Sequence, residues 1–245
     1  MIAQHDVPIR GLDPAHDGLV VAHLTDVHVG LITPESRVRR AVQIANAARA
    51  DLVVLTGDYV CYGRRFVDVM GEQLRGLEAR TAVVATLGNH DYWTDAEGCA
   101  RALAKNGYDV LRNQSVTLRP RGAPLAVVGI DDAVTRHHDP ARAFAGAGRR
   151  GTVLALSHCP ELADAAAARG AHLVVAGHTH GGQVHFKGFS EKMYRRFTKR
   201  RYLSGWYQVG DGRLYVNRGV GQASIPVRAG AGARSEVAIF TLRAA

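Results

Sequence analysis

The chain has 245 residues, 47% of them hydrophobic, with 31 Lys plus Arg against 22 Asp plus Glu and a formal charge of +9. That is enough apolar sequence for a large core, and three cysteines without a CxxC pair (Cys61, Cys99, Cys159) exclude a disulfide framework and favour a reducing compartment. No apolar run approaches the roughly 18–20 residues of a membrane span, and Met1 to Asp6 carries neither the basic start nor the apolar stretch of a signal peptide, so a cytoplasmic protein is expected, with peripheral contact at a membrane as the alternative.

In chain order, the apolar run from Leu19 to Thr25 ends at Asp26-Val27-His28. Thr33 is then placed as a helix N-cap with Pro34 at the first helical position, and Val38, Ala41, Val42, Ala45 and Ala48 recur on one face. A second run, Leu52 to Thr56, ends at Gly57-Asp58 and is followed by a predicted helix over 66–79. The third, Ala82 to Leu87, ends at Gly88-Asn89-His90-Asp91, and a helix over 96–106 follows with Gly107 as its cap. Thr152 to Leu156 leads to His158, Pro160 to Arg169 reads as a helix closed by Gly170, and His172 to Ala176 leads to Gly177-His178-Thr179-His180. The last third reads as strands over 182–186, 206–209, 213–216 and 236–242, with a turn at Gly210-Asp211-Gly212, and suits a second sheet. No internal repeat or linker divides the chain, and one domain over 1–245 is expected.

Short continuous apolar runs of this kind are strands buried on both faces, and helices alternating with them make a layered α/β arrangement. Open α/β sheets gather functional groups at the carboxyl ends of their strands, so the five polar clusters should meet on one edge. Asp26, His28, Asp58, Asn89, His158, His178 and His180 together form an oxygen and imidazole ligand set without thiolate, which suits manganese, iron or zinc better than calcium. Two metals roughly 3.5–4 Å apart need a shared carboxylate, and Asp58 is the natural bridge. Each cluster alone has a plainer reading: Gly57-Asp58 and Gly88-Asn89 as turns, His158 as a core histidine, and His178/His180 as a strand edge with both imidazoles on one side. Their order along the chain is what makes them a set.

The pattern DxH…GD…GNHD…H…GHxH resembles the calcineurin-like metallophosphoesterase superfamily. The continuation 177–184, with Tyr202-Leu203-Ser204-Gly205 and 214–219, resembles its bacterial YkuE-like branch. The resemblance implies an α/β/β/α sandwich with a first metal on Asp26, His28 and His180, a second on Asn89, His158 and His178, and Asp58 between them. It also implies that His90 protonates the leaving oxygen or steadies transition-state charge, and that Asp91 orients it. Two divalent cations would acidify a shared water, aim it at phosphorus and bind the nonbridging oxygens, and Asp91 would favour the protonated imidazolium of His90. Phosphodiester or pyrophosphate hydrolysis follows, on a phosphorylated small molecule or on a lipid- or nucleotide-linked phosphate such as UDP-diacylglucosamine. Cyclic nucleotides and phosphomonoesters stand as alternatives, and a non-catalytic metal-binding scaffold is a remote one.

Outside the motifs, His5, His16, His23, His137, His138, His172 and His185 have packing or surface roles as their default, with His185 and the His137-His138 pair as possible neighbours of the site. The stretch 192–201 crowds Lys192, Arg195, Arg196, Lys199, Arg200 and Arg201 between Met193, Tyr194 and Phe197. Three readings stand for it: contact with an anionic membrane, steering of a phosphorylated or nucleic-acid substrate, or a solvated loop.

Overall fold

A computed structural model describes residues 1–148, 151–182, 201–222 and 234–245. Its strands are β1 Ile2–Ile9, β2 Val20–Leu24, β3 Leu52–Thr56, β4 Ala82–Thr86, β5 Asp109–Val110, β6 Gln114–Leu118, β7 Leu125–Ile130, β8 Thr152–Ser157, β9 Leu173–Ala176, β10 Gly205–Val209, β11 Gly212–Val216 and β12 Val237–Ala244. The α-helices are α1 Glu35–Ala47, α2 Arg65–Leu74, α3 Asn89–Thr94, α4 Ala96–Lys105, α5 Pro140–Phe144 and α6 Ala163–Ala167.

The strands form two six-stranded sheets, ordered β1-β12-β2-β3-β4-β5 and β10-β11-β9-β8-β7-β6. Within them β2, β3 and β4 are parallel, as are β7, β8, β9 and β11. Alternation along each strand decides the layering. Val21, Leu52, Val54 and Val84 of the first sheet interdigitate with Leu125, Val127, Leu154, Leu156, Leu173 and Val175 of the second. The opposite face of the first sheet, with Ala22, Val53, Leu55 and Ala85, packs on Val38, Ala41, Val67, Met70 and Leu103 of α1, α2 and α4. That of the second, with Val128, Ala155 and Val174, packs on Ala143, Ala163 and Ala166 of α5 and α6. Every side chain of β3, β7, β8 and β9 is buried, and each large apolar one contributes roughly 1.5–3 kcal/mol. The result is the expected α/β/β/α sandwich.

Several sequence-based expectations are corrected. Thr33 does not cap α1: Pro34 is the cap residue, and Thr33 Oγ1 instead accepts from the Gln222 amide at 3.1 Å. The helix over 66–79 ends at Leu74, because the chain turns through Gly76 at φ +87°. Pro160 to Arg169 is a 3₁₀ turn over Pro160–Leu162 followed by α6. β12 joins the first sheet, between β1 and β2, while β10 and β11 join the second. Of the strand over 182–186, Gly182 lies instead in a 3₁₀ turn over His180–Gly182, and 183–186 with His185, like positions 192–200 of the basic stretch, lie outside the described residues. Arg201 reaches Asp164 at 3.2 Å and lies over the Tyr202 ring. Among the described residues no helix is long and apolar enough to cross a membrane.

Candidate metal centre

The five clusters follow the carboxyl ends of strands from both sheets, so the expectation of a single sheet edge is replaced by two edges brought face to face. Asp26 and His28 follow β2, Asp58 follows β3, and Asn89 and His90 open α3 after β4; from the second sheet, His158 follows β8, and His178 and His180 follow β9. Asp26, His28, Asp58, His178 and His180 all have φ between +48° and +72°, a left-handed conformation that costs non-glycine residues about 1–3 kcal/mol and collects at functional sites. The neighbouring glycines are required by space. A Cβ on Gly88 would strike the Asp58 carboxylate and stand 2.9 Å from the His158 ring, and one on Gly177 would strike Asp26 and Thr25.

Two donor groups gather the expected ligands, and a third, of His28, Cys61 and His90, adjoins the first. In the first, His180 Nε2 stands 3.3 Å from Asp26 Oδ1 and 3.0 Å from His28 Nε2. In the second, His158 Nε2 stands 3.2 Å from Asp58 Oδ2 and 3.2 Å from His178 Nδ1. Asp58 Oδ2 also lies 3.6 Å from His28 Nε2, so one carboxylate oxygen faces both groups. Ring nitrogens turned toward each other beside carboxylates form a cradle for cations. Among the described residues the Asn89 Oδ1 is buried without a hydrogen-bond partner, and buried polar atoms are left unpaired only at a cost. The residues present fit two divalent ions: Asp26, His28 and His180 form one group and Asp58, His158 and His178 the other, with Asp58 Oδ2 also facing His28 and the unpartnered Asn89 Oδ1 as a further donor.

Surrounding bonds fix the ligand orientations. Thr25 Oγ1 and the His178 amide donate to Asp26 Oδ2 at 2.9 and 3.0 Å, the His90 amide donates to Asp58 Oδ1 at 2.9 Å, and His158 Nδ1 donates to the Thr56 carbonyl at 2.8 Å. These second partners hold each ring and carboxylate toward the cradle. Burial alone would raise the Asp26 carboxyl, but the charges of His180 and neighbouring imidazoles hold it well below the ordinary range. Asp58 is likewise lowered, His158 outweighing burial. In return, burial pulls on the imidazoles but the carboxylates outweigh it, raising His28 to about 9 and His158 to about 10.

His90 stands beside the cradle, its ring centroid 4.7 Å from that of His28. Its Nδ1 donates to the Cys61 carbonyl at 2.9 Å, which leaves Nε2 as the nitrogen available to a ligand. Asp91 does not orient it. The Asp91 carboxylate accepts from the backbone amides of Asp58, Tyr59 and Gly88 at 2.8–2.9 Å, so it ties the β3 and β4 loops together. Burial and the Asp58 charge raise Asp91 to about 7, and burial lowers His90 rather than raising it. Cys61, through a backbone atom, is thus a positioning residue that its side-chain type could not announce. The Thr56 carbonyl is hidden from the sequence for the same reason, whereas Thr25 acts through its side-chain Oγ1 and reads only as the end of an apolar run; each lies within two residues of Asp26 or Asp58.

Of the other described histidines, His5, His16, His23 and His172 are packed or hydrogen-bonded within the fold, while His137 and His138 are exposed. His23 is buried, depressed by burial to about 3, and bonds Thr56 Oγ1 at 2.8 Å. His16 bonds Thr152, His172 Nδ1 accepts from the Val153 amide, and His5 packs on Trp206 and Tyr215. His137 stacks on Tyr92, the residue after Asp91, at 4.0 Å. Cys61, Cys99 and Cys159 are free and buried.

Residues 19–182, which span all five motifs, match the calcineurin-like phosphoesterase family. The chain belongs to that family. Members are metal-dependent phosphoester hydrolases, in keeping with the two donor groups. The chain is 26% identical over 244 residues to the uncharacterized metallophosphoesterase YkuE of Bacillus subtilis, covering 98% of this chain and 84% of that one. It is 27% identical over 205 residues to the phosphodiesterase YaeI of Escherichia coli, covering 82% and 74%. A zebrafish (Danio rerio) transmembrane protein with a metallophosphoesterase domain is 29% identical over 254 residues, covering 98% of this chain but 56% of its own length. The chain thus spans little more than half of that relative. The 5'-nucleotidase precursor of Thermus thermophilus shares the fold, with a TM-score of 0.53 at 17% identity over 83% of this chain and 49% of that one.

Proposed function

We propose that the chain is a two-metal phosphohydrolase that cleaves phosphodiester or pyrophosphate bonds. The observation that carries this reading is the shared carboxylate: Asp58 Oδ2 lies 3.6 Å from His28 Nε2 and 3.2 Å from His158 Nε2, so the two donor groups are built around one oxygen. A pair of divalent cations there, manganese for preference and iron or zinc otherwise, supplies Lewis-acid polarisation of phosphoryl oxygens and acidifies a bound water. The chain's own residues do the rest. Asp26, His28 and His180 hold one side of the centre, and Asn89, His158 and His178 the other. His90, fixed through the Cys61 carbonyl, offers Nε2 to the leaving oxygen. The diester preference is supported by the likeness to a relative described as a phosphodiesterase. A lipid- or nucleotide-linked substrate such as UDP-diacylglucosamine belongs to the same proposal, as does substrate steering or lipid contact by the basic stretch 192–201.

Purified protein with manganese should hydrolyse bis(p-nitrophenyl) phosphate, and Asp58→Asn should lose nearly all of that activity together with one or both metals. Protein that loads two metals per chain but leaves diesters, monoesters and pyrophosphates intact would reduce the reading to a metal-binding scaffold.

A further inference from the structure

Among the described residues, large apolar side chains stand exposed at few places, and the two aromatic ones, Tyr62 (52%) and Trp93 (55%), lie against the same residue. The Tyr62 ring centroid is 5.0 Å from that of His90, and the Trp93 centroid 4.9 Å. Both are held by the segments that hold His90. Tyr62 follows Cys61, whose carbonyl accepts from His90 Nδ1. Trp93 stands three residues after His90 on α3, on the same helix face. The other described large aromatic side chains are buried, as Tyr59, Tyr202 and Phe240 are, or half-buried, as Tyr92 and Trp206 are, so full exposure is confined to this pair. Aromatic surface left open beside convergent polar groups is the usual lining of a ligand site.

We propose that Tyr62 and Trp93 form the leaving-group subsite of the centre and select phosphoesters whose leaving alcohol carries a flat aromatic ring, such as an aryl or nucleoside group. The assignment rests on the phosphohydrolase reading above, in which His90 Nε2 meets the leaving oxygen. A group attached to that oxygen must pass the two rings around His90. Ring-on-ring contact there rewards a planar occupant over a short alkyl one.

The chain has two tryptophans, so Trp206→Phe leaves Trp93 as the sole indole reporter. With manganese-loaded protein, phenylphosphonate should perturb Trp93 emission and inhibit bis(p-nitrophenyl) phosphate hydrolysis about five- to tenfold more tightly than methylphosphonate. Trp93→Ala should erase that preference while leaving the methylphosphonate inhibition constant unchanged, and Trp93→Phe should restore most of it. Equal inhibition by the two phosphonates with hydrolysis intact, or a loss in Trp93→Ala that falls equally on both, overturns the aromatic subsite and leaves the phosphohydrolase reading standing. Absence of hydrolysis and of binding by either phosphonate overturns both.

Discussion

His28 and His158, held protonated by Asp26 and Asp58 with pKa values near 9 and 10 in the metal-free chain, must both be neutral to bind a cation. At pH 7 metal binding should therefore displace about two protons, and affinity should climb as pH rises from 7 toward 9. Calorimetry of manganese binding in buffers of different ionisation enthalpy measures this directly; a binding heat independent of buffer would contradict it. The sign for stability follows from the same groups. A raised imidazole stabilises the metal-free fold fully below pH 6.5 and loses that contribution through pH 9–10, so metal-free protein should melt lower at pH 9 than at pH 7. His90 behaves oppositely, because burial lowers it. As a proton donor it works in its protonated form, and its contribution, of order 10²–10⁴ in rate, should fade as pH rises toward 6.5, the ordinary imidazole value it lies below. The kcat ratio of wild type to His90→Ala, measured on a diester with an alkyl leaving group, should shrink with rising pH; a flat ratio would make His90 an electrostatic rather than a proton-donating residue.

At the scale of elements, the site depends on how closely β3 and β4 release their loops. The Gly88 backbone is extended, at φ −116°, so alanine there is conformationally allowed, yet its Cβ would meet Asp58 and the His158 ring. Gly88→Ala should lose metal and at least about 100-fold in activity, a loss of roughly 2.7 kcal/mol in transition-state stabilisation. Gly107→Ala is the contrasting case: φ is +83° but nothing stands within 4 Å, so it should cost about 1 kcal/mol of stability and leave metal content intact. Metal analysis beside thermal melts separates the two. The same distinction explains what was legible in sequence. β3, β8 and β9 could be read because burial on both faces leaves an unbroken apolar run, and the ligand clusters because each terminates such a run. β1 could not, since only some of its side chains are buried and Pro8 interrupts it, which an edge strand tolerates. Nothing local told β12 to enter the first sheet, and Asp91 beside His90 suggested a pair where the carboxylate serves backbone amides of the β3 loop and of its own. β7 is as apolar as β8 but ends at Asp131-Asp132, outside any motif, where Asp131 accepts from the Tyr92 hydroxyl and Asp132 from Thr135.

For the molecule as a whole, the proposed ligands are divided between the sheets: Asp26, His28, Asp58 and Asn89 come from the first and His158, His178 and His180 from the second. Each donor group takes residues from both, Asp26 and His28 with His180, and Asp58 with His158 and His178. A cation at either position thus ties together two layers otherwise joined along the apolar interface of Leu52, Val54, Val127 and Leu154. Binding that requires the folded arrangement stabilises it by about 4 kcal/mol at a free concentration 1,000 times Kd. For a chain of this size each kcal/mol moves the midpoint by roughly 2–4 °C, so saturating manganese should raise Tm by roughly 8–16 °C per fully coupled site. Because both sheets contribute, His180→Ala and His158→Ala should each remove part of that rise, and the double variant nearly all of it. A calorimetric scan of wild type and the three variants, with and without metal, checks this: a manganese-induced rise that survives in the double variant would mean that the cation does not bridge the sheets.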